Sequence, residues 1–455
     1  MDILISSFFF VLYCIKKIQF ECFFRKKNHS VGLDILFSND SAFWRKYIHS
    51  NGSSYKDDIT LSDVISEAKN RDYKINCIDI GIPRRSYKRE RDKFKEDTDW
   101  LCIEQFVTMK NLFNALFLTY RRLLSIRSKK KDLLLLGLWG QTKNTFRNYF
   151  CSFTAEKVIE YLNPKLIIMG CEYLYISRAL TYVAKQNNIP VFAVQHGDLS
   201  LQNHGFFFPD NELELMKKRI PDYTFVFSKT VKEILTEYSI YKNKNIVITG
   251  NPRYDLLEKP ELIYNKHKIM KNYDIPENKT KILWTPCCRY ISDQENIKIL
   301  KALELCSYNI ENSIIIIKRH PNDGTKYTRM IKHYLKLPNE RFIMLPQKSD
   351  TNSLIYCCDI LVTMKSSTTT EAVILNKPVI ELTLESGVES SVHVKSGVAV
   401  TVVDEKQLAP TIEKILLDDS KLVSNRKYFI KDHLYRIDGK AAERVVNFID
   451  KIIRN

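Results

Sequence analysis

The chain has 455 residues, too many for one ordinary hydrophobic core and enough for two or three domains. With 44% hydrophobic and 27% charged residues, 13 glycines and 14 prolines, it is neither collagen-like nor of low complexity and reads as a folded protein. Lys and Arg number 70 against 53 Asp and Glu, a formal charge of +17, so an anion is expected among the partners: nucleic acid, an acidic membrane leaflet or a phosphorylated small molecule.

Ile3–Ile15 is an apolar run rich in Phe, followed by Lys16-Lys17 and Arg25-Lys26-Lys27. It is shorter than the roughly 20 residues that a membrane-crossing helix needs. Its basic residues follow the apolar core instead of preceding it, the reverse of a secretory leader. Residues 1–30 therefore read either as a buried first strand or helix, or as an interfacial segment with basic flanks. Eleven scattered cysteines include no CxxC spacing, so reduced, mostly buried thiols are expected, not a disulfide framework or a zinc site.

Gly32–Phe37 and Tyr73–Ile80 are candidate first strands. Asp99–Ser125 reads as a helix, and a basic patch overlaps its end at Arg121, Arg122, Arg127, Lys129, Lys130 and Lys131. From Lys165 the pattern becomes regular. Strands are expected at Lys165–Gly170, Pro190–Gln195, Tyr223–Phe227 and Asn245–Gly250, with helices at Ser177–Gln186 and Val231–Tyr238. A second series follows at Lys281–Thr285, Ser313–Lys318, Arg341–Leu345, Asp359–Met364 and Pro378–Leu382. Short β-branched runs alternating with helices mean parallel sheets buried on both faces, an α/β architecture of two Rossmann-like domains. The polar stretch Asn251–Thr280, with three prolines, reads as the linker. The domains are placed at 31–253 and 254–425, after the 1–30 segment, with 426–455 a C-terminal helix that packs back on the first domain.

In open α/β sheets, ligands bind beyond the carboxyl ends of the strands, and four such places carry chemistry. Gln195-His196-Gly197-Asp198 offers a titratable imidazole beside a glycine, and His204-Gly205 follows in the same loop. Glu172, just after Gly170, is a further carboxylate at a strand end. Thr249-Gly250-Asn251-Pro252-Arg253-Tyr254-Asp255 combines turn chemistry with a cation. Lys318-Arg319-His320-Pro321 ends a buried strand with two cations and an imidazole, suited to a diphosphate. Met364-Lys365-Ser366-Ser367-Thr368-Thr369-Thr370-Glu371 opens a helix with five consecutive hydroxyls. Thr368 and Glu371 fit a capping box, but a cap needs one hydroxyl, which leaves the run available as an anion cradle. There is no GxGxxG and no GxxxxGK[ST].

The strand–RHP motif followed by a strand–SS–helix motif resembles the CDP-glycerol and CDP-ribitol glycerophosphotransferases and the bacterial sialyl- and polysialyltransferases, all of the GT-B fold. QHG after a strand, GNPRYD, and Asp438-Gly439-Lys440-Ala441-Ala442-Glu443-Arg444 share in that resemblance, which covers Lys165–Asn455. It implies GT-B architecture, with parallel sheets facing across a cleft, and an inverting, metal-independent transferase. Such an enzyme moves a sugar or polyol phosphate from a nucleotide-sugar or CDP-polyol donor to a cell-surface glycan or lipid-linked acceptor. It would be cytoplasmic and peripheral at the membrane, with no cofactor. Gly250, Arg253, Lys318, Arg319, Lys365, Ser366, Ser367, Thr368 and Glu371 would bind the donor. His320 would stabilise the leaving phosphate, His196, Asp198 or Glu172 would supply the base, and Gln195 and Gly197 would lie on the acceptor side.

Two alternatives compete. Non-hydrolysing UDP-N-acetylglucosamine 2-epimerases share the fold and the TGNP stretch, but their Thr-His-Arg-Arg-Glu-Asn motif is here Thr285-Pro286-Cys287-Cys288-Arg289-Tyr290, without His or Glu. A nucleic-acid-binding protein would suit the charge, yet no zinc finger, RNP pair or helix-turn-helix occurs. Asp97-Thr98-Asp99 has DxD spacing but sits at an expected helix start, and Asp57-Asp58 and Asp418-Asp419 read as surface pairs.

Overall fold

A computed structural model describes residues 10–15, 18, 32–40, 44–48, 54–81, 100–127, 134–197, 199, 205–208, 213–286, 292–320, 325–347, 349–364, 366–384 and 390–453. The chain divides into two compact units. The first comprises Met1–Arg45, Asp58–Thr249 and Ala442–Asn455, and the second Lys46–Asp57 and Gly250–Ala441.

In the first unit, strands β1 (Ile35–Asn39), β4 (Ile75–Asp79), β5 (Trp100–Cys102), β6 (Leu166–Met169), β7 (Val191–Val194), β8 (Tyr223–Val226) and β9 (Ile246–Ile248) form a parallel sheet in the order β5-β4-β1-β6-β7-β8-β9. Strands β2 (Trp44–Ile48) and β3 (Ser54–Asp58), most of which fall in the second unit, pair with each other and, among the described residues, with no other strand. Side chains alternate across the sheet. Leu36, Ile78, Ile167 and Met169 enter one core with Leu112, Phe146, Phe150 and Leu180. Ile35, Phe37, Ile168, Phe192 and Phe225 enter the other with Val64, Val445, Val446 and Ile449. Both faces being covered, the strands read as continuous apolar runs without polar alternation.

In the second unit, β10 (Thr280–Thr285), β11 (Ser313–Lys318), β12 (Phe342–Leu345), β13 (Ile360–Thr363), β14 (Val379–Leu382) and β15 (Val400–Val402) are ordered β12-β11-β10-β13-β14-β15, again parallel. Trp284, Ile315, Ile317 and Val362 face one core, and Leu283, Ile314, Ile316 and Leu361 the other.

Several expectations need correction. Asp99–Ser125 is not one helix: Trp100–Cys102 pairs with β4 as an edge strand, and the helix runs Met109–Arg127. Asn251–Thr280 is not a linker. It folds as the helices Pro252–Asp255, Pro260–Ile263 and Lys266–Asn272, and its Tyr254, Leu257, Tyr264, Met270 and Ile275 are buried in the core of the second unit. Apolar residues dispersed among lysines and asparagines were enough, because one buried face suffices for a short helix. The chain passes between units at Arg45/Lys46, Asp57/Asp58, Thr249/Gly250 and Ala441/Ala442, so Ser420–His433 stays with the second unit. The helix Ala441–Ile453 lies against the first sheet through Val445, Val446, Ile449 and the Phe448 ring, the last edge-on to Phe192, Tyr223 and Phe225. Within residues 1–30, the stretch 10–15 is helical and Tyr13 is buried beside Phe146 and Phe150.

Candidate active site

In the second unit, β10, β11 and β13 are neighbours, so the residues that follow them share one end of the sheet. Lys318 ends β11 and is buried. Its Nζ donates to the carbonyls of Arg319 (2.7 Å) and Gln347 (3.1 Å), and the Gln347 amide donates to the His320 carbonyl (3.0 Å). Lys318 thus braces the turn that presents Arg319 and His320, and its ammonium is turned into carbonyls where a phosphate contact had been expected. Arg319 donates to Thr328 Oγ1 at 2.9 Å, and His320 is half-buried.

Beside this turn lies a ring of hydroxyls. Thr285, last residue of β10, donates to Thr363, last residue of β13, at 2.8 Å, and Thr363 donates to the Thr285 carbonyl at 3.0 Å. Thr368 lies 3.1 Å from Thr285 Oγ1 and 2.9 Å from Ser366 Oγ. Ser366 Oγ accepts from both the amide and the hydroxyl of Thr368, which leaves its own hydroxyl hydrogen to donate elsewhere. Ser367 is exposed.

The expected capping box is absent. The N-cap of Thr368–Ile374 is Ser367, which makes no side-chain cap bond. Glu371 does not fold back on the helix start: it is buried and ion-paired with Arg253. Arg253 is held in a turn begun by Gly250 (φ +80°, a conformation that favours glycine), with Asn251 Oδ1 capping the Arg253 amide. The next residue but one, Asp255, accepts from the amides of Gly439 (3.2 Å) and Ala441 (2.7 Å), so GNPRYD and DGKAAER are parts of one arrangement.

The first unit carries a different set of groups at its strand ends. Glu172, after β6, is buried and accepts from the Tyr241 hydroxyl at 2.6 Å; burial pushes its carboxyl up to about 7, partly opposed by that bond and by Arg178. His196, after β7, is pushed down to about 4 by burial, so the ring is neutral at pH 7. Its Nε2 lies 3.2 Å from the Tyr173 hydroxyl. Gln195 is buried: it donates to the Gly197 carbonyl (2.8 Å) and accepts from the Phe227 amide (2.9 Å), making it a brace for this loop. A Cβ on Gly197 would meet nothing within 4 Å. Asp58 is not a surface carboxylate. It is fully buried, bonded by Asn39 Nδ2 and the Thr60 and Leu61 amides, and pushed up to about 6 by burial. Gly170 allows the close approach of Asn39, whose side-chain amide would clash with an added Cβ.

Asp198, His204, Lys365, Cys287, Cys288, Lys129–Lys131 and the Asp97-Thr98-Asp99 triplet lie outside the described residues. Thr285, Thr363, Thr328 and Gln347 were missed by sequence reasoning, although the two threonines carried a signal as hydroxyls closing otherwise apolar strands. Among the described residues no group of three or more His, Cys, Asp or Glu could hold a metal ion.

Two parallel α/β units with basic and hydroxylic groups at the strand ends define a transferase enzyme of the GT-B fold. More particularly, the chain belongs to the CDP-Glycerol:Poly(glycerophosphate) glycerophosphotransferase family, which it matches over residues 105–451. No curated protein matches it. Among solved structures, a wall teichoic acid polymerase, TagF, soaked with CDPG is similar at 12% identity, with 100% of this chain and 98% of that one covered and a TM-score of 0.53. The UDP-GlcNAc 2-epimerase of Neisseria meningitidis bound to UDP-GlcNAc is similar at 15% identity, covering 92% and 99%, with a TM-score of 0.59. An S. aureus MnaA–UDP structure is similar at 17% identity, covering 93% and 97%, with a TM-score of 0.56. At these identities the likeness speaks for the fold.

Proposed function

We propose that this enzyme transfers a polyol phosphate, of the glycerol phosphate type, from a cytidine-nucleotide donor to a hydroxyl of a cell-surface polysaccharide or its lipid-linked precursor, without a metal or cofactor. The observation that carries the reading is the Arg319-His320 turn and the Ser366–Thr368 turn at the same end of one sheet, following β11 and β13, the two strands that flank β10, in a chain of the glycerophosphotransferase family. Arg319 supplies a fork for phosphate oxygens, and Ser366 a hydroxyl donor. The acceptor oxygen forms a bond to the donor's terminal phosphorus as the bond to the nucleoside monophosphate breaks. His320 donates to the departing phosphate, and neutral His196 takes the acceptor's proton.

Thermal shift with CMP, CDP, UDP and GDP tests the donor. Stabilisation by the cytidine nucleotides alone is expected, about 3 kcal/mol at a hundredfold excess over Kd. Stabilisation by UDP alone, with UDP-GlcNAc converted without an acceptor, would replace the reading by the epimerase one.

The proposal includes peripheral attachment to an anionic membrane. No helix among the described residues is long and apolar enough to cross one. Along Met109–Arg127, however, Met109, Phe113, Phe117, Tyr120 and Leu124 recur at helical spacing on one face, each between 39% and 61% exposed. The Phe10 ring packs 4.8 Å from Phe113, and Val11 and Ile15 are exposed nearby in sequence. Lys110, Arg121 and Arg122 on the same helix are exposed and would meet acidic headgroups. Phe117→Ser should lower cosedimentation with phosphatidylglycerol vesicles about tenfold, and equal binding to phosphatidylcholine vesicles would remove the charge argument.

A further inference from the structure

The first turn of Thr368–Ile374 is anchored residue by residue. Thr368 joins the hydroxyl ring with Thr285 and Thr363, and Glu371 pairs with Arg253. The two residues between them are anchored to elements that no motif marks. Thr369 Oγ1 lies 3.4 Å from Glu381 Oε1 on β14, and Thr370 Oγ1 lies 2.9 Å from His393 Nε2 on the short helix Val392–Lys395. The other imidazole nitrogen, Nδ1, makes no hydrogen bond and stands 3.5 Å from the same Glu381 oxygen, close enough for the carboxylate's charge to act on it. All four side chains are buried, and the imidazole packs against the Phe429 ring at 5.4 Å.

A carboxylate facing Nδ1 favours the tautomer with its proton there, leaving Nε2 to accept from the threonine hydroxyl. Glu381, His393 and Thr370 then form a directional chain running from β14 into the helix start. Thr370 is buried, so the chain delivers no nucleophile; what it fixes is the rotation of the turn. With Thr368, Thr369, Thr370 and Glu371 each held by a different element, Ser366 and Ser367 are the hydroxyls of the run left for a ligand.

We propose that His393 and Glu381 are positioning residues for donor binding. Acting through Thr370, they set the angle at which the Ser366-Ser367 turn meets the nucleotide's phosphates. This rests on the assignment of that turn to the donor. A histidine that merely fills the core would change stability and leave nucleotide affinity alone.

The test is calorimetric titration of CDP into the full-length protein, its Thr370→Val, His393→Gln and His393→Phe variants and the Thr370→Val/His393→Phe double variant, with the Tm of each. Absence of CDP binding by the wild-type protein would sink the donor assignment itself. If the wild type binds, Thr370→Val, an isosteric change that leaves the core filled, should weaken CDP about tenfold, a loss near 1.4 kcal/mol. His393→Phe should weaken it as much, and His393→Gln, whose amide can serve Thr370, should stay within about twofold. The double variant should be no weaker than either single one, because one chain is broken in each. Unchanged affinity in Thr370→Val, or equal losses for the Gln and Phe variants, would overturn the proposal.

Discussion

The strand ends of the two units are built from different chemistry. In the first unit they carry groups whose proton affinity has been moved by burial: His196 down to about 4, Glu172 up to about 7, Asp58 up to about 6. In the second they carry hydroxyls and cations locked to one another and to carbonyls, such as the Thr285–Thr363–Thr368 ring and the Lys318 brace. On the proposed function, the contrast follows from what each would handle. Proton transfer needs a group poised between two charge states, whereas anion binding needs donors that do not reorganise when the ligand arrives. One fold, used twice, is specialised by the residues one or two positions beyond its strands.

The sharpest way to break this comparison is to remove one imidazole from each unit. His320→Ala should cut kcat by about a thousandfold, and His196→Gln by about a hundredfold or more, both with unchanged Tm. CDP affinity should fall in the first variant and hold in the second; a His196 variant that loses donor affinity would erase the division of labour. Next in size is Arg253→Met. It leaves the buried Glu371 carboxylate without its partner and should cost about 3 kcal/mol, seen as a lowered denaturation midpoint. The double variant Arg253→Met/Glu371→Gln should recover much of that loss.

Glu172→Gln probes the first unit through pH. The folded-state value, about 7, exceeds the ordinary 4.5, so the folded protein holds this proton more tightly than the unfolded chain. That contribution is fully present below pH 4.5 and is lost as pH rises through 7, a swing on the order of 3 kcal/mol. Relative to the wild type, the variant should lose this fall in stability with rising pH, and an identical slope would show that Glu172 is not the group. His196 has the opposite sign: its value is depressed, so stability falls as pH drops from 6.5 towards 4; the two windows overlap and oppose each other, and comparing Glu172→Gln with His196→Gln tells them apart. The smallest effect expected is that of Ser366→Ala, which should raise the donor KM about tenfold with kcat within about twofold, because it removes one hydroxyl donor.

The strands were largely legible. Ser313–Lys318 was read from its residues to the same limits as observed, and most of the other apolar runs to within a residue or two. Buried parallel strands are nearly continuous β-branched runs, so their local composition states their environment. The edge strands Trp100–Cys102 and Val400–Val402 were missed, since three residues give no period to detect. The RHP and SS turns were found for a related reason: fold class says where ligands bind relative to strands. What escaped was the partner of each group. Nothing in SSTTTE distinguishes a cap from an anchored turn, and Glu371 left the cap position for Arg253, 118 residues away in sequence.

The opening excess of +17 shows the same limit. Sequence alone determined that there is an excess of cations, that the architecture is α/β with two parallel sheets, and that basic and hydroxylic residues follow particular strands. Those properties are local, set by side-chain type and by periods of two and 3.6 residues. Tertiary structure decided where the charges lie: Lys318 is turned into carbonyls and Arg253 pairs with Glu371, while Arg121 and Arg122 stand exposed beside an apolar stripe. It also decided that Asn251–Thr280 is core and that His393 stands behind the hydroxyl turn. Such pairings join residues distant in the chain, and only packing in three dimensions, where each buried polar group must find its partner, selects them.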